Sequence, residues 1–265
     1  MSNSEVTIKP FDAQSDLTAA AARELVKIVV EIQQGHRDGG VAGDGIARIV
    51  LTGGGAGIEL CKQLATLDHA AKTQAEDFPI AAIDWSQVKV FFGDERFVPA
   101  DDAERNERQV REALLDHVAI LEENIFGYAA PTPGSDYDGP ALDEAAESYA
   151  KVLTEHAPDG FDIHLLGMGP EGHINSLFPH TQELLHATGS VAAVRNCPKP
   201  PAERVSLTLP AINSAQQVWL LVAGAAKQEA AEQVARGGNG AQWPAALVAG
   251  REDTVLWVDA AARPE

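Results

Sequence analysis

Short apolar segments alternate along the chain with longer segments of helical periodicity, and this alternation is what most constrains the fold. Several short segments carry apolar residues on both faces, which is typical of parallel strands covered by helices. The pattern predicts strands at residues 46–51, 88–92, 161–166, 205–209, 218–223 and 255–258. It predicts helices at residues 15–34, 103–117, 142–156 and 227–236, with another after the glycines at 53–57. The sequence therefore predicts an α/β fold, a mostly parallel sheet flanked by helices.

Length and cysteine usage favour one domain in a reducing compartment. The chain has 265 residues, of which 45% are hydrophobic, as in an ordinary globular protein. No internal repeat or long linker divides it, so we expect a single α/β domain over residues 10–260. Cys61 and Cys197 lie far apart and fit neither a disulfide framework nor a zinc-ligand spacing.

Charge and hydropathy exclude several classes of protein. The chain has 20 Lys and Arg against 39 Asp and Glu, and its net charge of −19 disfavours nucleic acid and anionic membranes as partners. Residues 1–10 lack the apolar core of a secretory signal, and no apolar run reaches the ~18 residues of a membrane span. We therefore expect a soluble cytoplasmic protein. A small anionic substrate would need a local cationic pocket.

The first stretch suited to ligand binding follows the strand at 46–51, because ligands of open α/β sheets bind outside the carboxyl ends of strands. Thr52, Gly53, Gly54 and Gly55 would let the backbone approach a ligand closely. The helix that follows would aim free N–H groups at an anion such as phosphate. The stretch lacks the lysine of a P-loop and the glycine spacing of a dinucleotide site, so a plain strand-to-helix turn is the alternative.

The second stretch, after the strand at 88–92, contains Asp94 and Arg96. Residues two apart at a strand end point the same way, so these two side chains could face one site. Arg96 would present a planar fork suited to phosphate or to a developing oxyanion. A surface ion pair is the alternative.

The third stretch contains His173, which is a candidate general base. Glu171 is close enough in the chain to orient the imidazole, and glycines such as Gly169 expose N–H groups that could form an oxyanion hole. A histidine in a surface loop is the alternative. His164 and His180 are predicted to be structural or exposed, because the three histidines match no zinc-ligand spacing.

Basic residues are scarce, so their positions are informative. Lys199 lies in a proline-rich stretch, Arg204 precedes the strand at 205–209, and Lys227 follows the strand at 218–223. Each alone is expected to face solvent. Together with Arg96 they could supply the cationic pocket that an anionic substrate requires.

Four stretches of the sequence, in order, resemble the 6-phosphogluconolactonase family of the glucosamine/galactosamine-6-phosphate isomerase superfamily. They are LTGG at 51–54, GDERFVP at 93–99 with Asn106 downstream, LGMGPEGH at 166–173 with SLFP at 176–179, and RVSLT at 204–208. The resemblance spans about residues 11–257 and implies one Rossmann-like domain of the sugar-phosphate isomerase type. It also implies hydrolysis of 6-phosphoglucono-δ-lactone in the pentose phosphate pathway, without a metal or an organic cofactor, and we expect a monomer.

The resemblance also implies roles for individual residues. His173 would be the catalytic base, assisted by Glu171, and Arg96 would contact the substrate or the transition state. Lys199 and Arg204 would contact the phosphate. The other expected substrate-binding residues are Thr52, Gly53, Gly54, Gly55, Asp94, Gly169 and Lys227.

Two positions depart from the family pattern. Glu171 stands where the family usually has Asp, and its extra methylene alters how the imidazole is held. Gly55 stands where the family usually has Ser or Thr, so a hydroxyl contact to the phosphate is lost.

Two other functions stay open at the level of sequence. An aminosugar-6-phosphate isomerase or deaminase resembles this fold, but residues 174–179 lack the acid found there, and Arg96 stands where those enzymes have Tyr. A non-catalytic sugar-phosphate sensor would need a DNA-binding module, and the sequence predicts none.

Overall fold

The computed structural model describes residues 6–73, 82–132, 134 and 137–265. The sequence also predicts a connector at 78–87 and a surface loop at 131–140, of which residues 78–81, 133, 135 and 136 lie outside the described ranges. Within those ranges, no helix is both long enough and apolar enough to cross a bilayer.

The described residues contain ten strands arranged in two sheets. The strands are β1 (Thr7–Phe11), β2 (Ala47–Leu51), β3 (Val88–Phe92), β4 (Asp94–Arg96), β5 (Ile125–Phe126), β6 (Ile163–Gly167), β7 (Val191–Val194), β8 (Arg204–Leu207), β9 (Gln217–Val222) and β10 (Asp253–Asp259). Seven strands pair in parallel in the order β1-β10-β9-β6-β2-β3-β5. The other three form an antiparallel sheet in the order β4-β8-β7.

Helices flank the parallel sheet, which confirms the predicted α/β class. In the described ranges they are α1 (Gln14–Gln33), α2 (Gly54–Thr73), α3 (Asn106–Ala113), α4 (Pro140–His156), α5 (Gln182–His186), α6 (Leu209–Ile212) and α7 (Gln228–Arg236). α1 packs against α2, and α2 packs against α3. Each buries an apolar stripe, as amphipathic helices on a sheet must.

The order of the central strands creates a crevice at their carboxyl ends. β2 and β6 are neighbours, but the chain runs outward from β2 through β3 to β5, and in the opposite direction from β6 through β9 to β10. The loops after β2 and β6 therefore leave the sheet toward opposite sides and cannot cover the gap between them. Ligands of open parallel sheets bind at this kind of reversal.

The antiparallel sheet differs from the sequence-based prediction. The segment at 205–209 is a strand, but it ends at Leu207 and belongs to the small sheet rather than to the parallel one. The strands β1, β4, β5 and β7 were not predicted because they are short or polar and give no clear alternation. The helix predicted at 103–117 is shorter, because Arg105 is extended (φ −66°, ψ 130°) and α3 begins only at Asn106.

Two residues that the sequence did not assign to the site, Cys61 and His164, are buried in the core. Cys61 is 1% exposed in the apolar face of α2, as predicted. His164 lies fully buried in β6, where burial lowers its pKa to about 3, so the imidazole is neutral. Both are structural residues, and the described residues contain no cluster of three or more His, Cys, Asp or Glu side chains that could hold a metal ion.

Candidate active site

A cavity of about 160 Å³ lies at the carboxyl ends of the central strands. It brings together ten of the twelve site residues predicted from the sequence: Thr52, Gly53, Gly54, Gly55, Asp94, Arg96, Gly169, His173, Arg204 and Lys227. The other two, Glu171 and Lys199, are not part of the lining. They lie next to His173, with the Glu171 carboxylate 3.1 Å from the imidazole and 2.8 Å from the Lys199 ammonium group.

The glycine-rich loop after β2 forms one wall of the cavity and leads into the first turn of α2. Gly54 has φ +78°, which favours glycine, and a Cβ on Gly53 would overlap the side-chain amide of Asn106. The Thr52 hydroxyl accepts a hydrogen bond from the Gly167 N–H at 3.4 Å, which joins this loop to the end of β6. The wall therefore presents backbone N–H groups and the positive end of a 20-residue helix to the cavity.

Asp94 lies at the base of the cavity and is 6% exposed. Its carboxylate accepts a hydrogen bond from the Ser176 hydroxyl at 2.6 Å and another from the Asn106 amide at 3.1 Å. Arg204 Nη1 lies 3.9 Å from the same carboxylate. Asp94 is thus a buried connector between three segments of the chain, and a surface ion pair with Arg96 is excluded.

Arg96 is held by Asn106, which lies at the first turn of α3. The Arg96 guanidinium donates to the Asn106 side-chain oxygen at 2.8 Å and to the Glu104 carbonyl at 2.6 Å. Its Nε is buried at the cavity and has no hydrogen-bond partner among the described residues. The Arg96 guanidinium is therefore held at the edge of the cavity by contacts with the protein.

The Glu95 carboxylate holds the backbone of Arg96 and of the first turn of α3 in place. The sequence did not predict Glu95 as a site residue. Its carboxylate accepts hydrogen bonds from the backbone N–H groups of Arg96, Asn106 and Glu107, at 2.7 to 2.9 Å, and so caps α3. Burial raises the pKa of Glu95 to about 6, against the lowering effect of Arg105 and of these N–H groups. A buried carboxylate needs such donors to stay charged.

His173 lies on the loop after β6 with its ring stacked on Phe178, at 4.3 Å between centroids and 12° between planes. Nδ1 is 3.1 Å from Oε1 of Glu171 but is not aligned with it as a hydrogen bond. Burial lowers the pKa of His173 to about 4; Lys199 lowers it as well, while Glu171 and Asp94 oppose the shift. The imidazole is therefore neutral at pH 7 and able to accept a proton.

Lys227 is the cavity cation with the fewest partners. It follows β9 just before α7, and its ammonium group has no hydrogen bond or ion pair with any residue in the described ranges. Burial lowers the pKa of Lys227, and the charge of Lys199 lowers it further, against Asp259. An anion in the cavity would relieve this unfavourable burial of charge.

Arg204 is engaged differently from Lys227. It is 6% exposed, and its guanidinium donates hydrogen bonds to the backbone carbonyls of Lys199, Pro200 and Pro201 at 3.1 to 3.3 Å. Most of its donors are therefore used to hold the proline-rich loop.

Asn106 and Asn175 line the cavity, although the sequence did not predict either as a site residue. Asn175 has φ +46°, and neither atom of its amide group has a hydrogen-bond partner among the described residues. Gly93 makes room for it, since a Cβ there would overlap the Asn175 amide oxygen. The family resemblance includes Asn106, which could have indicated its role in the site. No sequence pattern pointed to Asn175.

Most of the chain is similar to proteins of one known family. Residues 12–257 match the family model described as glucosamine-6-phosphate isomerases/6-phosphogluconolactonase. The 6-phosphogluconolactonase of Mycobacterium tuberculosis is 46% identical over 97% of this chain and 98% of that protein. The structure of 6-phosphogluconolactonase from Trypanosoma brucei is similar with a TM-score of 0.78 and 25% identity, covering 98% of each chain. A monomeric glucosamine-6-phosphate deaminase, 18% identical, shares the fold with a TM-score of 0.72 over 97% of this chain and 98% of that one.

We expect Gly169→Ala to displace the His173 ring, because a Cβ at Gly169 would overlap Nδ1 and Cε1 of the imidazole. The imidazole resonances of His173 should shift in the NMR spectrum, and the free energy of unfolding should fall by about 1–3 kcal/mol, as for other overpacked sites. Gly189→Ala is the matched control, because its Cβ would meet only ordinary contacts. Unchanged His173 resonances in Gly169→Ala would contradict this packing.

Proposed function

Because the chain belongs to the glucosamine-6-phosphate isomerase/6-phosphogluconolactonase family, we propose that it hydrolyses 6-phosphoglucono-δ-lactone to 6-phosphogluconate. The observation that carries the proposal is the similarity to 6-phosphogluconolactonases over nearly the whole chain, at 46% identity. The cavity supports it, because a neutral imidazole and an unpaired ammonium group face one space. These are the two groups that hydrolysis of an anionic ester needs.

We assign the phosphate of the substrate to the end of the cavity that is formed by the glycine-rich loop and Lys227. Backbone N–H groups in the first turn of α2 supply hydrogen bonds, and Lys227 supplies a charge that no described residue neutralises. Arg204 contributes the part of its guanidinium that the proline-rich loop leaves free. Fixing the phosphate holds the lactone ring at the other end of the cavity and orients its carbonyl.

His173 acts as the general base. We assign the ring proton to Nδ1, beside Glu171, which leaves the lone pair of Nε2 for a water molecule. As the water oxygen attacks C1, Nε2 takes its proton, and the carbonyl becomes an oxyanion. The imidazolium then returns the proton to the ring oxygen as the C1–O bond breaks, which yields the acid and a hydroxyl group.

We assign stabilisation of the oxyanion to the Arg96 guanidinium, which lines the cavity. The N–H groups of Gly167, Gly169 and Gly172 are already donated within the protein, so the oxyanion hole expected from these glycines is not formed by them. One such donor contributes about 10²–10³ in rate. The dianionic phosphate also adds negative charge to the cavity, which raises the basicity of the imidazole in the complex.

The cavity favours this reaction over isomerisation or deamination of an aminosugar phosphate. Among the described residues that line it, Asp94 is the one carboxylate, and it is held by Ser176 and Asn106. No acid is therefore free to shuttle protons along an opened sugar chain.

We further propose that the protein works in the cytoplasm as a monomer without a metal. Support for the compartment comes from Cys61 and Cys197, which are both free and buried, as in proteins kept in reducing surroundings. The monomeric state stays a prediction from the sequence.

The function is tested by following proton release from freshly prepared 6-phosphoglucono-δ-lactone, with ammonia release from glucosamine-6-phosphate as the alternative. His173→Gln should lower kcat about 10²–10⁴-fold, because the general base is removed. His69→Gln, at an exposed position on α2, is the control and should keep the parent rate. Ammonia release, or binding of the lactone without turnover, would contradict the proposal.

We expect Lys227→Met to weaken binding of the phosphorylated lactone and to spare the chemical step. The KM for 6-phosphoglucono-δ-lactone should rise about ten- to hundredfold, since one charge-assisted hydrogen bond is lost. The KM for unphosphorylated glucono-δ-lactone should change little. Lys62→Met, which removes an exposed lysine from α2, is the control. An equal rise in both KM values would remove Lys227 from the phosphate site.

A further inference from the structure

Lys199 occupies a position that a phosphate contact does not explain. It is absent from the cavity lining, and its ammonium group lies 2.8 Å from Oε1 of Glu171. The same carboxylate oxygen lies 3.1 Å from Nδ1 of His173. The three side chains therefore form a row, Lys199–Glu171–His173, that ends on the imidazole.

The backbone that carries Lys199 is held in place from inside the protein. Arg204 is buried and donates hydrogen bonds to the carbonyls of Lys199, Pro200 and Pro201. A lysine on a loose loop would lose much of its interaction to side-chain and backbone entropy. Here the Arg204 hydrogen bonds reduce that cost.

A shared aromatic ring joins the two ends of the row. The Phe178 ring stacks on the imidazole of His173, and the Lys199 ammonium group lies 5.7 Å from the centroid of the same ring. This distance is within the range of a cation–π interaction. Lys199 is thus close to the base through the carboxylate and through the aromatic ring.

We infer that Lys199 is a positioning residue that acts on His173 through Glu171, holding the carboxylate beside the imidazole rather than binding the phosphate of the substrate. The inference rests on the proposed function, because it assigns His173 as the base. It also explains the presence of Glu instead of the shorter Asp at position 171, since one carboxylate oxygen contacts both the Lys199 ammonium group and the His173 ring.

The charges around the imidazole decide what removal of Lys199 does. Burial lowers the pKa of His173, the charge of Lys199 lowers it further, and the carboxylates of Glu171 and Asp94 raise it. Without Lys199, a lowering charge disappears and the Glu171 carboxylate is free of its cation. Both changes favour the imidazolium, so the pKa of His173 should rise.

The experiment compares the parent protein with Lys199→Met, Lys199→Arg and Lys72→Met. Lys72 is a matched control, because it is 47% exposed and 2.7 Å from a carboxylate of α2, against 44% and 2.8 Å for Lys199. The pKa of His173 is measured by NMR titration of the imidazole, and kcat and KM are measured on 6-phosphoglucono-δ-lactone and on glucono-δ-lactone.

In Lys199→Met we expect the pKa of His173 to rise by about one unit, as for the loss of a charge effect at this range. We expect kcat to fall about tenfold on both lactones, because the Glu171 carboxylate is no longer held beside the imidazole. A tenfold loss is part of the contribution of a general base. The KM for the phosphorylated lactone should change less than about twofold, and Lys199→Arg should restore most of kcat. Lys72→Met should match the parent in every measurement.

Other results would overturn the inference. An unchanged pKa of His173 would show that Lys199 does not act on the base, and a raised pKa with unchanged kcat would show that Lys199 does not position the base for catalysis. A tenfold rise in KM for the phosphorylated lactone alone would make Lys199 a phosphate contact. The titration does not depend on turnover, so a parent protein without lactonase activity would contradict the proposed function while the titration still decides whether Lys199 acts on His173.

Discussion

The parallel pairing of β2 with β6 is the constraint on which the site depends. Because the chain leaves these neighbouring strands in opposite directions, the loops after them open a crevice at the sheet edge. The hydrogen bond between Thr52 and the Gly167 N–H joins the two loops at that point. A glycine-rich wall and a loop bearing His173 then face each other across one cavity.

Electrostatics in the cavity run against the charge of the whole protein. The chain carries a net charge of −19, yet Arg96, Arg204 and Lys227 line the site. The three side chains differ in how many hydrogen-bond donors remain for a ligand. The Arg204 guanidinium donates three hydrogen bonds to the protein and the Arg96 guanidinium donates two, whereas Lys227 has no partner in the described ranges. The arginines therefore build the cavity, and the lysine is the charge that an anion would meet first.

Much of this could be predicted from the sequence, because apolar runs that end in glycine are local signals. The strand at Val88–Phe92 and the loops bearing Thr52 and His173 were predicted on that basis. Contacts between residues that are far apart in the sequence could not be predicted. The pairing of Arg96 opposite Arg204 in the small sheet, and the contact of Lys199 with Glu171, depend on registers that no local pattern encodes.

A crystal structure of the complex with 6-phosphogluconate tests the central claim most directly. The account predicts the phosphate within hydrogen-bond distance, about 2.7–3.2 Å, of the Lys227 ammonium group and of N–H groups in the first turn of α2. It predicts the new carboxylate beside Nε2 of His173. A phosphate bound to Lys199, or a carboxylate at the far end of the cavity from His173, would contradict it.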